Sequence, residues 1–595
     1  MTNLARANTS ETTRQADGSI PDPGPDGRML ALGTGGRPPA RPHADARRPL
    51  ALAGLALVAL GGYLAIWPLM PAAIAGTLSP IALVVTAEAV PYALACWLLL
   101  RAPAPTSARW RRAEWAILIA GALLFRAALL PLVPVLSRDA YRYAWDALVT
   151  AHGFSPYLHA PNWPGFDALR DVFYGHVPWK TVPTIYPPGA QLLYRAAYLI
   201  APKNFWVVKA EMVVFDLLAG LLLALLLRRH GQDPRRAFIY LWAPLPVVEY
   251  ALNGHVDAAA IALTLLVLLV NELRFRGARA LVGALLGFAT LVKLYPAIFV
   301  VALVRRRDWS LLTALVGVVA LGYLPFWHEG LAAFGFLGTY LNQTDSNFGG
   351  AALALSGLAN FTHLSANGVR ALEALGAAVG VALVFCLRAF PASALTSALK
   401  GRSTQADRER SNTRLRLAAV RRSFTTALGA VWALVSQSAG NAPGDAPLLS
   451  PIQATYALVA LWLAFSPHVF AWYVPALLPF CALYLAGVRR APLRPAGAVV
   501  NDRRTGANVN AARGDQSTEA STGAPETVYG QRGAPVLQGR ERGIAAACAA
   551  GIWAFCCLIP LSYVAFEVPR WAWLYPALYP ACLGLALGLW LRWRR

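Results

Sequence analysis

The chain has 595 residues, of which 57% are hydrophobic and only 14% charged, with a formal net charge of +23. A soluble chain of this length would divide into several domains with charged surfaces, which this composition excludes. Apolar runs of about 20 residues recur along the whole length, as membrane-crossing helices require, and the alternating segments of about 10 residues that build a membrane barrel are absent.

The basic balance suggests nucleic acid until its distribution is read. The arginines sit in clusters between apolar runs: Arg47-Arg48, Arg109 to Arg112, Arg228-Arg229 with Arg235-Arg236, Arg274 to Arg279, Arg305 to Arg307, and Arg489-Arg490. The stretch from His328 to Asn367 has no Lys or Arg at all. This is positive-inside patterning, so nucleic acid is not an expected partner and membrane lipid is. The predicted fold class is an all-α polytopic membrane protein.

In chain order, residues 1–48 are polar, rich in Gly, Pro and Arg, and lack the apolar core of a signal peptide; they read as a disordered cytoplasmic tail. Residues 49–490 form one membrane domain. About twelve spans are predicted, at 50–69, 77–100, 114–136, 207–227, 237–252, 256–271, 311–326, 366–390, 452–466, 473–488, 543–563 and 573–592. With the N-terminus inside, the third span exits outward and places Asp139 outside. The short run from Pro188 to Ile200, if it crossed, would put Arg228 and Arg229 on the wrong side. It reads instead as a helix in the outer interface, with Gln191 and Arg195 on its wet side. Residues 137–206 thus form a large outer loop. Two shorter pieces, 281–291 and 295–304, flank Lys293 and carry arginines on both outer flanks, which predicts a short hairpin entering from the cytoplasmic side. Two polar stretches, 391–450 and 491–542, read as disordered cytoplasmic insertions, and 543–595 as a C-terminal membrane hairpin. Both termini fall in the cytoplasm, in a multi-pass protein of the cytoplasmic (inner) membrane. The seven cysteines lie in apolar runs without metal-type or redox-type spacing and read as small buried hydrophobes.

Ser137-Arg138-Asp139-Ala140-Tyr141-Arg142-Tyr143-Ala144-Trp145-Asp146 follows directly on the third span. An anchoring belt of Tyr, Trp and snorkelling Arg would account for the rings and the guanidiniums. It would not need two acids. Asp139 and Asp146, seven apart, share a face if the segment is helical, with Arg142 between them. Asn253-Gly254-His255-Val256-Asp257 is a tight turn in which Asn-Gly suits a positive φ, and Glu249 lies one turn before it. Ser466 to Tyr473 makes another outer turn, carrying His468, Trp472 and Tyr473. Lys293 at the hairpin tip either snorkels or reaches an anionic headgroup, and Asp216 sits mid-span, where polar groups either tie helices together or mark sites. No nucleotide-binding, nucleophile-elbow or zinc-protease motif is present.

The order Asp-x-x-Arg-Tyr-x-Trp-Asp, Gly-x-x-Pro-Tyr, Thr-x-Tyr-Pro-Pro, Asn-Gly-His-x-Asp, Lys-x-Tyr-Pro and a late Trp-Tyr-x-x-x-x-x-Pro, over roughly residues 50–490, resembles the membrane glycosyltransferases of the GT-C fold. The closest resemblance is to the family 87 polyprenyl-phosphate-mannose-dependent group. It departs from that pattern at Ala147, where the family has glycine, in the two extra leading spans and in the polar insertions. The resemblance implies a GT-C-like bundle and a catalytic aspartate at the end of a membrane helix, which maps onto Asp139. It also implies transfer of a hexose, mannose above all, from a polyprenyl-phosphate sugar to a hydroxyl of a glycan, glycolipid or protein. A sugar on a lipid phosphate already has a good leaving group, so the enzyme needs a base for the acceptor proton and cations for the departing phosphate. Asp139 is the expected base, acting directly on the attacking hydroxyl with inversion. Arg138, Arg142, His255, His468 and Lys293 are the expected phosphate-gripping groups, with Asp257 and Asp146 in the donor site beside them and Asp146 expected to orient Arg142. Tyr141, Tyr186, Asn253, Glu249, Trp472 and Tyr473 are the expected supports. No Asp-x-Asp pair stands here, so no metal and no cofactor beyond the lipid-linked donor is expected. The competing class, a lipid-linked glycan flippase or secondary transporter, accounts for the bundle but not for the long outer loop. A scaffold subunit would need none of these acids.

Overall fold

The computed structural model describes residues 42–342, 354–355, 365–390, 447–466, 468–485, 540–568 and 573–594. The first part of the predicted tail, nearly all of the 391–450 insertion and the 491–539 stretch lie outside the described residues. Among the described residues the chain is helical, with no β-strand. Helix α1 runs Pro42–Leu64, α2 Ser79–Ala87, α3 Ala89–Arg101 and α4 Ala108–Leu129. The loop region that follows holds α5, Asp139–Ala151, and α6, Pro188–Ile200. Then come α7, Phe205–Arg229, α8, Asp257–Asn271, α9, Ala278–Val292, and α10, Trp309–Tyr323. The remainder is α11, Ala366–Ala389, α12, Pro451–Phe465, α13, Leu478–Tyr484, α14, Arg540–Leu558, α15, Leu561–Glu567, and α16, Leu574–Arg594.

Helix starts follow local chemistry. Ser107 and Asn204 cap α4 and α7 by accepting from backbone N–H groups, and Ser450 with Gln453 forms a capping box at α12. Pro188 and Pro451 occupy first-turn positions, where a missing N–H costs nothing. Among the described residues five helical stretches are long and apolar enough to cross a membrane: Asp45–Ile74, Ser79–Arg101, Phe205–Arg229, Trp309–Tyr340 and Asn367–Ala389. Other apolar helices are shorter, and several expected spans are not continuous helices; 543–563, for one, is interrupted at 559–560 between α14 and α15. Residues 237–252 are broken by Pro244 and Pro246 into short turns that end in a π-helix, Val247–Leu252. Residues 473–484 begin as a 3₁₀ turn containing Pro475 before α13 forms.

Small residues set the closest approaches. A Cβ on Gly283 or Gly287 of α9 would strike the Leu311 or Leu315 carbonyl oxygen of α10, so the two helices pack backbone to backbone. In the bundle interior, Arg126 of α4 donates to Asp216 of α7 at 2.6 Å and to the Ala122 and Leu241 carbonyls. Asp216 is therefore an interhelical tie. Removing one partner of such a buried pair costs about 3–5 kcal/mol.

The arginine clusters gather at one end of the bundle. Arg48 and Arg235 both reach Glu114, at 3.1 and 2.6 Å, Arg279 pairs with Asp308, and Glu272 takes Arg229 and His230. Arg48 already belongs to α1, so ordered helix begins inside the segment expected to be a free tail. Likewise α14 begins at Arg540, within the expected linker. The opposite end carries residues 137–206. There Gln191 is 4% exposed, not on a wet face as expected, because it hydrogen-bonds the loop from beneath. Arg195 is half-buried, with its guanidinium over the Tyr198 ring.

Candidate functional site

The loop 137–206 is held together from within by a buried ion pair. Arg142 donates from Nε to Asp146 at 2.8 Å, and from its two Nη atoms to the Trp179 and Val182 carbonyls at 2.9 and 3.1 Å. The second Asp146 oxygen accepts from Thr184 Oγ1 at 2.6 Å and from Gln191 Nε2 at 3.3 Å. Trp179, whose carbonyl takes one of these bonds, sits at φ 54° in the left-handed region. Arg142 and Asp146 are 4% and 1% exposed, with their polar atoms committed to the loop. The expectation that Arg142 grips the donor phosphate fails for that reason, while Asp146 orients Arg142 as expected; together they are the clamp that shapes the loop. Tyr141 is packing too, its ring against Phe173, His176 and Phe205.

One helical turn back along α5, Asp139 faces a different neighbourhood. Its Oδ2 accepts from the Tyr186 hydroxyl at 3.0 Å and lies 3.7 Å from His255 Nδ1, and 14% of the side chain stays exposed. Tyr186 arrives there because Pro187 and Pro188 start α6, and because Gly189, where a Cβ would strike the Leu291 backbone, lets α6 touch the end of α9. His255 is delivered by the Asn253-Gly254 turn. Gly254 has φ 76°, and a Cβ there would meet the Lys209 side chain. The imidazole is fully buried, stacked on Trp472 at 4.1 Å, with Nε2 3.5 Å from Glu249 Oε2.

The hairpin tip completes the cluster. Lys293 Nζ donates to Asp257 Oδ2 at 2.9 Å and stands 4.6 Å above the Tyr473 ring. The tip therefore reaches the first residue of α8, at the same end of the bundle as Asp139. Tyr473 meets the Tyr340 hydroxyl at 3.2 Å, and His468 Nε2 lies 3.0 Å from the Tyr340 carbonyl oxygen. Glu249 accepts from Asn253 Nδ2 at 2.9 Å and from the Tyr563 hydroxyl at 2.8 Å. Among the described residues no three His, Cys, Asp or Glu side chains are grouped to hold a metal ion.

The electrostatics suit a base. Burial pushes the Asp139 carboxyl above its usual range; the Tyr186 hydrogen bond and Lys293 pull it down, while Asp257 pushes it up again. Burial, then the Asp139 charge, raises the Tyr186 phenol well above its ordinary range, so its hydroxyl stays a donor. Burial, and then Lys293, lowers His255 well below the ordinary imidazole value, so the ring is neutral. A neutral, fully enclosed ring facing carboxylates on both sides has no place for a phosphate, which corrects the expected role of His255.

Residues 184–409 match the family model of glycosyltransferase family 87. The match, over somewhat more than a third of the chain, supports a membrane glycosyltransferase. No curated protein and no solved structure matches it. The family 87 region contains Thr184, Tyr186, Glu249, the turn 253–257, Lys293 and Tyr340. Asp139, Arg142 and Asp146 lie before it, and His468, Trp472, Tyr473 and Tyr563 after it.

The structure thus joins Asp139, Tyr186, Glu249, Asn253, His255, Asp257, Lys293, Trp472 and Tyr473 in one cluster. His468 is buried at its margin, and Arg138 is exposed at the start of α5. Sequence reasoning missed Tyr340 and Tyr563. Tyr340 stands in an apolar stretch without a motif, and Tyr563, 314 residues from its partner Glu249, ends what reads as a plain membrane span.

Proposed function

We propose that this glycosyltransferase moves a hexose, mannose by its resemblance, from a polyprenyl-phosphate donor to an acceptor hydroxyl at the outer face of the cytoplasmic membrane. The acceptor oxygen attacks the anomeric carbon, the bond from that carbon to the lipid phosphate breaks, and polyprenyl phosphate leaves with the electron pair. Asp139 takes the hydroxyl proton. One carboxylate acting on the attacking group gives inversion. The carrying observation is the Asp139 carboxylate: partly exposed, made more basic by burial, and held by Tyr186 at the end of the bundle.

Lys293 and Arg138 are assigned to the donor phosphate; His468, 1% exposed with Nε2 against the Tyr340 carbonyl oxygen, is enclosed as His255 is and is not. Lys293 suits this role best, since its side chain is 15% exposed and its ammonium has an aromatic face beneath it. Asp257 holds it in place. The positive-inside pattern supports cytoplasmic termini, about twelve spans and an outward-facing site. No metal or further cofactor is assigned, and the acceptor is a glycan, glycolipid or protein. The test is Asp139→Asn in membranes supplied with polyprenyl-phosphate mannose. Loss of transfer at unchanged protein level is expected; wild-type transfer would overturn the reading.

A further inference from the structure

The cluster contains a row of side chains that the transfer step does not itself use. Asp139 Oδ2 faces His255 Nδ1 at 3.7 Å, and on the other side of the ring His255 Nε2 faces Glu249 Oε2 at 3.5 Å. Both gaps are longer than hydrogen bonds, and both imidazole nitrogens are buried without a hydrogen-bond partner. A neutral imidazole carries one proton, so which nitrogen holds it decides what Asp139 meets. Glu249 decides that. It is fully buried and accepts two hydrogen bonds, from Tyr563 to Oε1 and from Asn253 to Oε2, which suit its carboxylate form. A carboxylate cannot donate, and Glu249 lies nearer the ring than Asp139 (3.5 against 3.7 Å) and fully away from water, so it draws the ring proton to Nε2 and leaves the Nδ1 lone pair aimed at Asp139.

We infer that Glu249, held by Tyr563 of the C-terminal hairpin and by Asn253, is a positioning residue that fixes the His255 tautomer and so keeps Asp139 a strong base. This rests on the reading of Asp139 as the base. The opposite tautomer would present an N–H to Asp139, stabilise its carboxylate and weaken it. When Asp139 takes the acceptor proton, the repulsion from the Nδ1 lone pair is relieved, so the environment favours the protonated state that the reaction forms. Trp472 stacks on the ring and keeps it between the two acids. Tyr563 lies outside the family 87 match, so an element beyond that region completes the row.

Other groups act on the row as well. Lys293 from the hairpin tip and Arg142 from α5 favour the Asp139 charge, and Asp257 from α8 opposes it. Tyr186 donates to Asp139, and Lys293 and Asp257 also act on His255 and Glu249 respectively. The first four remain in place when Glu249 is changed; Glu249→Gln removes the direct Glu249–Asp139 repulsion along with the tautomer control, whereas Tyr563→Phe leaves the Glu249 side chain in place.

The experiment is the pH dependence of kcat and KM for Glu249→Gln, in the full-length protein reconstituted with polyprenyl-phosphate mannose. Glutamine can donate to Nε2, which shifts the ring proton to Nδ1. The acid limb of the rate profile is expected to move toward lower pH by about one unit. The plateau kcat should fall several-fold while the donor KM stays within about twofold. Tyr563→Phe, which removes one donor to Glu249, should move the limb the same way by less, and it provides the readout if Glu249→Gln does not accumulate. An unmoved limb in both variants, or a limb moved to higher pH, would overturn the inference. If Asp139→Asn abolishes transfer and the limb does not move, only the Glu249 assignment falls. If Asp139→Asn transfers normally, the underlying assignment of the base falls with it.

Discussion

The two ends of this bundle treat their charges in opposite ways. At the arginine end three acids lie against guanidiniums: Glu114 against Arg48 and Arg235, Asp308 against Arg279, and the half-buried Glu272 against Arg229. At the other end Asp139, Glu249 and Asp257 converge on one lysine and one neutral histidine. Asp257 Oδ1, Asn253 Oδ1 and both His255 nitrogens are buried there without a hydrogen-bond partner. The first arrangement serves anchoring. The second leaves acids short of cations in a place that stays partly open, which stability alone would not select and which chemistry needs.

That contrast can be broken most sharply at Asp139. Asp139→Asn should lower kcat by about 10²–10⁴-fold, the usual contribution of a general base, measured as sugar transfer at matched protein level. The same change should not weaken the fold. Because burial raises the folded-state pKa of Asp139, its ionised form opposes folding as pH rises above the unfolded carboxylate value. Asparagine removes that penalty, so the thermal midpoint at neutral pH should hold or rise while activity disappears.

Lys293→Met comes next. It leaves Asp257 buried with no ammonium, and the loss of such a partner costs about 3–5 kcal/mol, read as a lower unfolding temperature in detergent. Adding Asp257→Asn should restore the fold but not transfer, because the phosphate still lacks its cation. Recovery of transfer in the double variant would reduce Lys293 to a structural role. At the arginine end, Arg235→Ala should also lower stability, yet leave the acid limb of the rate profile where it was; a moved limb would mean that the two ends are coupled. In the wild type that limb should lie above the ordinary carboxylate range, with activity lost as pH falls through the raised Asp139 value. The smallest effect is expected at Arg138, exposed at the start of α5. Arg138→Gln should raise the donor KM by no more than about tenfold and spare kcat.

How much of this was legible in the sequence depended on the range of the contacts. The positive φ of Gly254 and the turn at Lys293 were readable, because each is written in a few neighbouring residues, while the helix that starts at Asp139 was open in the sequence. The broken segment 237–252 looked like a span: its hydrophobicity is continuous, and Pro244 and Pro246 alone mark the interruption. The division of labour between Asp139 and Asp146 was only half readable. Helical spacing placed Arg142 between them, but the Trp179 and Val182 carbonyls that draw Arg142 toward Asp146 belong to an irregular loop with no periodic signal. Arg126 with Asp216 and Tyr563 with Glu249 are pairings across the bundle, which local pattern does not encode.

The central claim is that Asp139 is the base of a sugar transfer, and one measurement addresses it directly. Wild type and Asp139→Asn are reconstituted in proteoliposomes with labelled polyprenyl-phosphate mannose and an acceptor extract, and the label is followed into product. The account predicts labelled product with the wild type and none with Asp139→Asn, at equal amounts of folded protein. Transfer by Asp139→Asn at the wild-type rate would contradict it, as would a wild type that carries the lipid-linked sugar between leaflets and leaves it chemically unchanged.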